Sequence, residues 1–312
     1  MSDPIPTEQT AARIVRDALG WSDVNVRRFT TGLAFFVYDV WTGEHSAVVR
    51  IGQWTQATAL ADSLALWRRL APLGVPLPQI MVDGTTAEMP FVIMSRLPGT
   101  DLGHVTATLP PARLVTIAHA VADAQLATAK LGQGTGFGFA AREELAPHAS
   151  WGDVVAASVN RSVQRIAANK LFPPAIAEGV IRSLALHRAA LDVIQPTPFL
   201  HDTTTKNVIV TEAGDFSGIV DVDDLCFGDP RYAVALTKAA LLMHGGPVTY
   251  VDPWLERMGL ADDAVFALYI AVFLLDFMGE HGMAFNGNQA PSDPQMRSRL
   301  TLLLAHALTG AA

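Results

Sequence analysis

The spacing of apolar residues changes along the chain from a mixed pattern to a predominantly helical one. In the first part, alternation predicts strands, and a period of three to four residues predicts helices. The predicted strands cover residues 24–29, 35–41, 45–51 and 91–95, and the predicted helices cover residues 8–19 and 55–73. After residue 101 the strands give way to helical segments at residues 110–131, 151–169, 173–193, 231–243, 254–258, 264–279 and 294–308. This order predicts an α+β protein, with a small antiparallel N-terminal sheet and a larger helical C-terminal part joined near residues 96–101.

One segment within the helical part, residues 199–232, interrupts this pattern and concentrates polar residues. Its apolar triplets at 208–210 and 218–220 are separated by a turn-forming stretch, which predicts a hairpin. Because a hairpin places its outer ends side by side, Asp202 and Asn207 are expected near Asp221. Carboxylate and amide oxygens are ligands that Mg²⁺ prefers. A polar hairpin with solvated acids explains the same spacing equally well, since Asp and Asn are common in turns.

Length, charge and cysteine content narrow the classes of protein. A chain of 312 residues predicts about two domains, or one large domain with a deep cleft. The net charge of −8, without a cluster of Lys or Arg, argues against nucleic acid as a partner but would not repel a cationic or neutral small substrate. The single cysteine, Cys226, excludes an internal disulfide framework and fits a reducing cytoplasm. The first residues lack a signal-like pattern, and the apolar run at 264–275 is too short to span a membrane, so a cytoplasmic protein without a membrane partner is expected.

Other polar positions allow a functional and a plain interpretation. The connection at residues 30–34 could place backbone amides over phosphate, although a simple hairpin turn is favoured. Arg50 on the third strand could hold phosphate, although an exposed strand arginine is commoner. The glycine-aromatic segment 132–139 lacks the spacing of a dinucleotide fingerprint and is interpreted as a mobile surface loop rather than a substrate lid. Asp276 and Glu280 share a helix face, where a solvated helix tip is favoured over contact with a cationic or hydroxyl-bearing substrate.

The chemistry that best fits the central segment is phosphoryl transfer. This reaction needs a divalent metal on the nucleotide phosphates, a carboxylate that orients the attacking hydroxyl, and a fixed cation. Asp202 can act as the base, with Asn207 and Asp221 as ligands of Mg²⁺. Asp223 can support these ligands without binding the metal itself, because alternation along an extended run places its side chain on the same side as that of Asp221. Asp229 is interpreted as a helix cap.

Two motifs carry a resemblance to a known family. HDTTTKN at residues 201–207 is similar to the catalytic loop of the aminoglycoside phosphotransferase and small-molecule kinase family, and IVDVDDLCFGDP at residues 219–230 is similar to its metal-binding segment. The resemblance implies a bilobal protein-kinase-like fold, with a nucleotide-binding lobe at residues 1–97 and a helical catalytic and substrate lobe at residues 98–312. It also implies transfer of the γ-phosphoryl group of ATP or GTP, with Mg²⁺, to a hydroxyl of a small molecule, with antibiotics such as aminoglycosides among the candidate acceptors. The nucleotide-binding residues implied are Thr31, Gly32, Arg50, Met94, Ser95 and Leu97.

The chain departs from the family pattern at several places, among them the run 231–235, which replaces an acid that the family often carries after Gly-Asp-Pro. His201 directly precedes Asp202, whereas the family has its histidine two residues earlier. The helix predicted at 55–73 has no glutamate to pair with the strand cation, and Asp62 is its only acid. These departures keep a second hypothesis open, a nucleotide-binding pseudokinase that acts as a regulatory or interaction module. A metal-dependent hydrolase with the same carboxylates is a third. The sequence does not indicate the acceptor, the nucleotide preference or the oligomeric state.

Overall fold

The computed structural model describes residues 5–29, 35–285, 288–289 and 291–311. The helices are α1 Glu8–Leu19, α2 Ala57–Leu70, α3 Pro111–Ala129, α4 Trp151–Asn169, α5 Glu178–Asp192, α6 Arg231–His244, α7 Asp252–Met258, α8 Ala264–Glu280 and α9 Pro294–Gly310. The strands are β1 Asn25–Arg28, β2 Phe36–Trp41, β3 Ser46–Ile51, β4 Ile80–Gly84, β5 Phe91–Ser95, β6 Thr100–Asp101, β7 Gly138–Ala140, β8 Thr197–Phe199, β9 Val208–Val210, β10 Phe216–Ile219, β11 Leu225–Gly228, β12 Ala284–Phe285 and β13 Asn288–Gln289. The predicted α+β class is confirmed.

The N-terminal part is an antiparallel sheet with the strand order β1-β2-β3-β5-β4. One face packs against α1, through residues such as Tyr38, Val49 and Ile93. The opposite face packs against α2, where Leu60 and Trp67 are buried. Alternation on β3 therefore sends Arg50 to the α2 side of the sheet, away from Val49.

The helical part is built around α8, in which 12 of the 17 residues are buried and nearly all are apolar. Helices α4, α5, α6 and α9 pack against it. A helix that is apolar on every side is removed from water only when other helices surround it. None of the described helices is both long and apolar enough to cross a membrane.

Short strands other than the predicted hairpin occur after residue 101, so the prediction that the rest of this part is helical is wrong. Strand β11 pairs with both β7 and β8, and the hairpin β9–β10 is extended by β6. The interpretation of residues 132–139 as a mobile surface loop is wrong for its last residues, because Gly138 and Phe139 belong to β7. Their pairing partner, Leu225–Gly228, is distant in sequence, and so local periodicity carries no signal for it.

The connection between the sheet and the helical part passes through Gly99, which has φ of +105°. A Cβ atom at this position would lie 1.8 Å from the carbonyl oxygen of Val210. Only glycine combines this backbone conformation with so close an approach.

We expect Gly99→Ala to lower the free energy of unfolding by about 1–3 kcal/mol, the usual cost of overpacking. Urea denaturation of both proteins measures the change. Gly43→Ala is the matched control, because a Cβ at Gly43 meets nothing within 4 Å and its φ is not positive. Equal unfolding midpoints for the two variants would contradict the prediction.

Candidate active site

The hairpin β9–β10 brings the two polar loops together. Val220 N–H donates to the carbonyl oxygen of Asn207 at 2.9 Å, which joins the loop before β9 to the residue after β10. Asn207 Nδ2 in turn donates to the carbonyl oxygen of Asp202 at 3.0 Å. Asp202, Asn207 and Asp221 therefore gather at one end of the hairpin, where the sequence analysis placed them.

A buried glutamine that the sequence analysis missed holds the loop of Asp202. Gln125, on α3 and 1% exposed, donates to the carbonyl oxygen of Leu200 at 2.8 Å and to Thr203 Oγ1 at 3.2 Å. Its Oε1 accepts the Leu200 N–H at 2.9 Å. One side chain thus satisfies both backbone groups of the residue two positions before Asp202. Gln125 is one of several polar residues in α3, so no signal in the sequence set it apart.

We expect Gln125→Leu to lower the free energy of unfolding by about 1–3 kcal/mol, because it leaves buried N–H and C=O groups without partners. Denaturant titration measures the loss. Gln195→Leu is the control, since the Gln195 side chain is exposed and donates to the carbonyl oxygen of Val193 within its own loop. A similar stability for both variants would show that Gln125 does not hold the loop.

The surroundings of Asp202 favour its ionised form. Burial acts to raise the pKa of this carboxyl, but the Lys206 ammonium and the hydrogen bond from Thr204 outweigh it, so the pKa lies below its ordinary value. Lys206 Nζ is 3.1 Å from Oδ2, and Thr204 Oγ1 donates to Oδ1 at 2.7 Å. A carboxylate that is ionised at neutral pH can accept a proton.

Asp221 is in a different electrostatic situation. Surrounding protein raises its pKa, and Asp223 and Asp202 add to the rise, while Arg50 opposes it. Its side chain is still 54% exposed. Its φ of +63° is in the left-handed region, which non-glycine residues seldom adopt. A carboxylate held among other acids and in this conformation is typical of a site that meets a cation.

Arg50 is buried, and the interpretation as an exposed strand arginine is wrong. It is 5% exposed, and its Nη2 donates to Asp221 Oδ1 at 3.3 Å and to Asp223 Oδ2 at 2.5 Å. The guanidinium lies 4.3 Å from the ring centre of Phe35. Its Nε is buried and has no acceptor among the described residues. A buried donor without a partner at this point fits a phosphate oxygen.

The donor set also fits a magnesium ion that is bound jointly with phosphate. In the described part of the chain, no group of three or more His, Cys, Asp or Glu residues could hold a metal by itself. Mg²⁺ usually binds through one or two carboxylates together with waters and phosphates. Asp221 supplies a carboxylate, and Asn207 uses Nδ2 for its hydrogen bond to Asp202, so its Oδ1 has no partner within the described ranges of the chain.

The residues expected to bind the nucleotide base lie at the end of β5. Met94 is buried and pairs with Val48 within the sheet. The N–H of Ser95 already donates to the Gln79 carbonyl oxygen at 2.8 Å, which leaves it unavailable to a base. The N–H of Leu97 has no such partner among the described residues. The predicted phosphate loop, including Thr31 and Gly32, lies outside the described residues.

The two acids considered as substrate contacts are already paired. Asp276 accepts hydrogen bonds from Ser162 Oγ at 2.9 Å and Arg165 Nη1 at 3.4 Å. Glu280 accepts one from the same Nη1 of Arg165 at 2.8 Å. Burial and the neighbouring Asp276 raise the pKa of Glu280. Asp276 is therefore not a solvated helix tip, and a substrate that reached either acid would have to compete with Arg165.

His201 and the remaining acids surround the site. His201 Nδ1 lies 3.2 Å from Asp224 Oδ1 but not in hydrogen-bonding geometry, and its ring contacts Phe139 edge-on. Phe139 therefore places β7 beside the loop of Asp202. Asp229 is structural: it accepts the Arg231 N–H at the start of α6 and the hydroxyl of Tyr269.

The chain matches one known protein family over most of its length. A model of the phosphotransferase enzyme family, APH, matches residues 25–269. The chain belongs to this family. A curated relative, hygromycin-B 4-O-kinase of Escherichia coli, is 26% identical over 202 residues, which cover 64% of this chain and 57% of the relative. The chain thus matches little more than half the length of that relative.

Solved structures of the family share the fold. Aminoglycoside phosphotransferase APH(4)-Ia superposes with a TM-score of 0.68 at 17% identity, covering 98% of this chain and 100% of that one. A GDP complex of an aminoglycoside 2'-phosphotransferase variant gives 0.64 at 14% identity, covering 97% and 95%. The predicted bilobal, protein-kinase-like fold is confirmed.

Proposed function

We propose that this family member transfers the γ-phosphoryl group of ATP or GTP to a hydroxyl group of a small molecule. The observation that carries the proposal is the convergence of Asp202, Asn207 and Asp221 at the end of one hairpin, opposite the buried cation Arg50. Phosphoryl transfer requires these parts: a base, metal ligands and a fixed cation. The family membership supports the same reaction class.

Each residue has a defined task in this proposal. Asp202 accepts the proton of the attacking hydroxyl and orients it, which its lowered pKa allows. Asn207 and Asp221 would hold Mg²⁺, which when bound neutralises charge on the phosphates. Arg50 would donate to a phosphate oxygen through its free Nε. Residues 1–97 serve as the nucleotide-binding lobe and residues 98–312 as the catalytic and substrate lobe.

The spacing of residues in a relative supports these assignments. Solved variants of APH(4)-Ia replace an aspartate, and the asparagines four and five positions after it, with alanine. Asp202, Lys206 and Asn207 have the same spacing in this chain. On the proposed correspondence of Asp202 with that aspartate, Lys206 takes the position of an asparagine in the relative.

An aminoglycoside is the substrate class that we propose first. Structures of APH(4)-Ia contain hygromycin B with AMP-PNP or ADP. Aminoglycosides are cationic, and the chain carries a net charge of −8. Electrostatic attraction would raise the local concentration of such a substrate.

The single buried cysteine, Cys226, supports action in the cytoplasm.

The test is a transfer assay with the full chain, Mg²⁺ and γ-labelled ATP or GTP. Hygromycin B, other aminoglycosides, macrolides, sugars and amino alcohols serve as acceptors, and a reaction without acceptor serves as the control. We expect acceptor-dependent appearance of label in the organic product. Release of labelled phosphate that no acceptor increases would favour the hydrolase. Nucleotide binding without any turnover would favour the pseudokinase.

A further inference from the structure

The buried guanidinium of Arg50 requires a carboxylate partner, because a buried charge without one is strongly destabilising. Helix α2 packs directly against this side of the sheet, but its described residues provide no carboxylate for Arg50. Its only acid, Asp62, lies 3.9 Å from Arg142 instead. The partner comes from the opposite lobe, from the segment that follows β10.

Asp223 contacts two separate elements of the N-terminal lobe. Its Oδ2 accepts a hydrogen bond from Arg50 Nη2 on β3 at 2.5 Å. Its Oδ1 accepts a hydrogen bond from Ser63 Oγ on α2 at 3.2 Å. Asp223 itself lies two residues after Asp221, on the loop that leads to β11. Its two carboxylate oxygens thus join β3 and α2 to this loop.

Helix α2 holds the same loop by other contacts. Trp67 Nε1 donates to the carbonyl oxygen of Val222, the residue between the two acids. The side chains of Leu60 and Leu64 belong to one apolar cluster with Val222 and Leu225. The loop therefore has a defined position relative to α2 even before the ion pair is considered.

We propose that Asp223 is the positioning carboxylate of Arg50, in the place of the acid that α2 lacks. It orients the guanidinium toward the nucleotide phosphates and keeps Asp221 available for metal. The second effect follows from the distances, since Arg50 lies 2.5 Å from Asp223 and 3.3 Å from Asp221. Without Asp223, the cation would pair with Asp221 and compete with the metal. This inference rests on the proposed function, because it assigns Arg50 and Asp221 to a nucleotide and its metal.

Relocating the carboxylate tests this role. Asp223→Ser removes the acid, and Ser63→Glu together with Asp223→Ser returns one from the α2 side, where the longer side chain can enter the vacated space. Asp223→Asn, which keeps the shape and can still accept from Ser63, is made in parallel in case the serine variant is unstable. Asp215→Asn is the control for loss of one negative charge, because Asp215 is an exposed partner of Arg113.

The measurements are nucleotide affinity, by calorimetric titration with Mg²⁺, and the separate KM values for nucleotide and acceptor. We expect both Asp223 single variants to weaken nucleotide affinity by about 10- to 100-fold, the range for groups that orient a ligand. The KM for the acceptor should stay within about twofold of wild type, because a positioning group for the nucleotide does not contact the acceptor. The double variant should recover most of the lost nucleotide affinity, since it returns a carboxylate to Arg50.

A purely structural role predicts another outcome. In that case the variants lose thermal stability, but their nucleotide affinity stays within about twofold of wild type. That result overturns the inference. A loss of nucleotide affinity that the double variant does not restore overturns it as well. Failure of the proposed function is distinguishable, because nucleotide titration needs no acceptor: a wild type that binds nucleotide without transferring phosphate refutes only the transfer reaction. A wild type that binds no nucleotide refutes both.

Discussion

Replacing Asp202 with asparagine is expected to lower kcat by about two to four orders of magnitude, the range for loss of general-base assistance. Asparagine keeps the shape of the side chain and can still accept the hydrogen bond from Thr204. It cannot accept the proton of the attacking hydroxyl. The KM for nucleotide should change little, because Asp202 contacts neither Arg50 nor the end of β5. Steady-state kinetics with the best acceptor measure both constants.

The control for Asp202→Asn is Asp215→Asn. It removes an exposed carboxylate from the turn between β9 and β10, at the opposite end of the hairpin from Asp202. Its kcat should stay within about twofold of wild type, as is usual for a surface substitution. If Asp202→Asn loses less than about tenfold, another group must accept the proton. The assignment of Asp202 as the base would then be wrong.

Replacing Asp221 with asparagine is expected to lower activity and raise stability together. Activity should fall by about two to three orders of magnitude, because metal stabilisation of the transition state is worth several kcal/mol and about 1.4 kcal/mol is tenfold in rate. The metal-free protein should gain about 0.5–1 kcal/mol, a small value because the side chain is half exposed and screened. Asparagine also tolerates the left-handed backbone of this position.

The gain in stability should depend on pH in a defined direction. The pKa of Asp221 is raised in the folded protein, so the folded state binds the proton more tightly than the unfolded state. Below the ordinary carboxyl pKa of 3.8, Asp221 therefore does not lower the free energy of unfolding of the wild type. As the pH rises through the raised pKa of the folded state, this free energy decreases. Thermal unfolding of wild type and Asp221→Asn from below pH 3.8 to neutral pH, without Mg²⁺, measures the difference in stability between the two proteins. A gap that narrows as pH rises would contradict the assigned sign.

Several elements were predictable because their signals are local. Thr7 accepts a hydrogen bond from the Thr10 N–H and Gly20 closes the other end of α1, so the predicted helix at 8–19 has the observed bounds. The hairpin β9–β10 formed where β-branched triplets flank a turn. The placement of Asp202, Asn207 and Asp221 followed from that hairpin. Their roles as base and metal ligands remain predictions until the variants are measured.

Contacts between distant segments gave no local signal. Strand β7 exists because β11, more than eighty residues later, supplies its hydrogen-bond partners. Gln125 holds the loop of Asp202 across a similar separation in sequence. Asp276 and Glu280 were singled out by their common helix face, where a solvated tip was favoured over substrate contact, yet the arginine that pairs with them lies on α4. Each of these depends on which elements pack together, and not on residue type.

The sequence alone determined the order of the longer helices and of four of the five strands of the N-terminal sheet, the hairpin that gathers the polar loops, and, through the resemblance of its two motifs, the expected reaction class. These features depend on periodicity, turn residues and spacing, which act over a few residues. The tertiary structure alone decided which carboxylate serves Arg50. Only packing of α2 against the loop after β10 brings Asp223 and Ser63 together, and a buried charge takes whichever partner the fold places within reach.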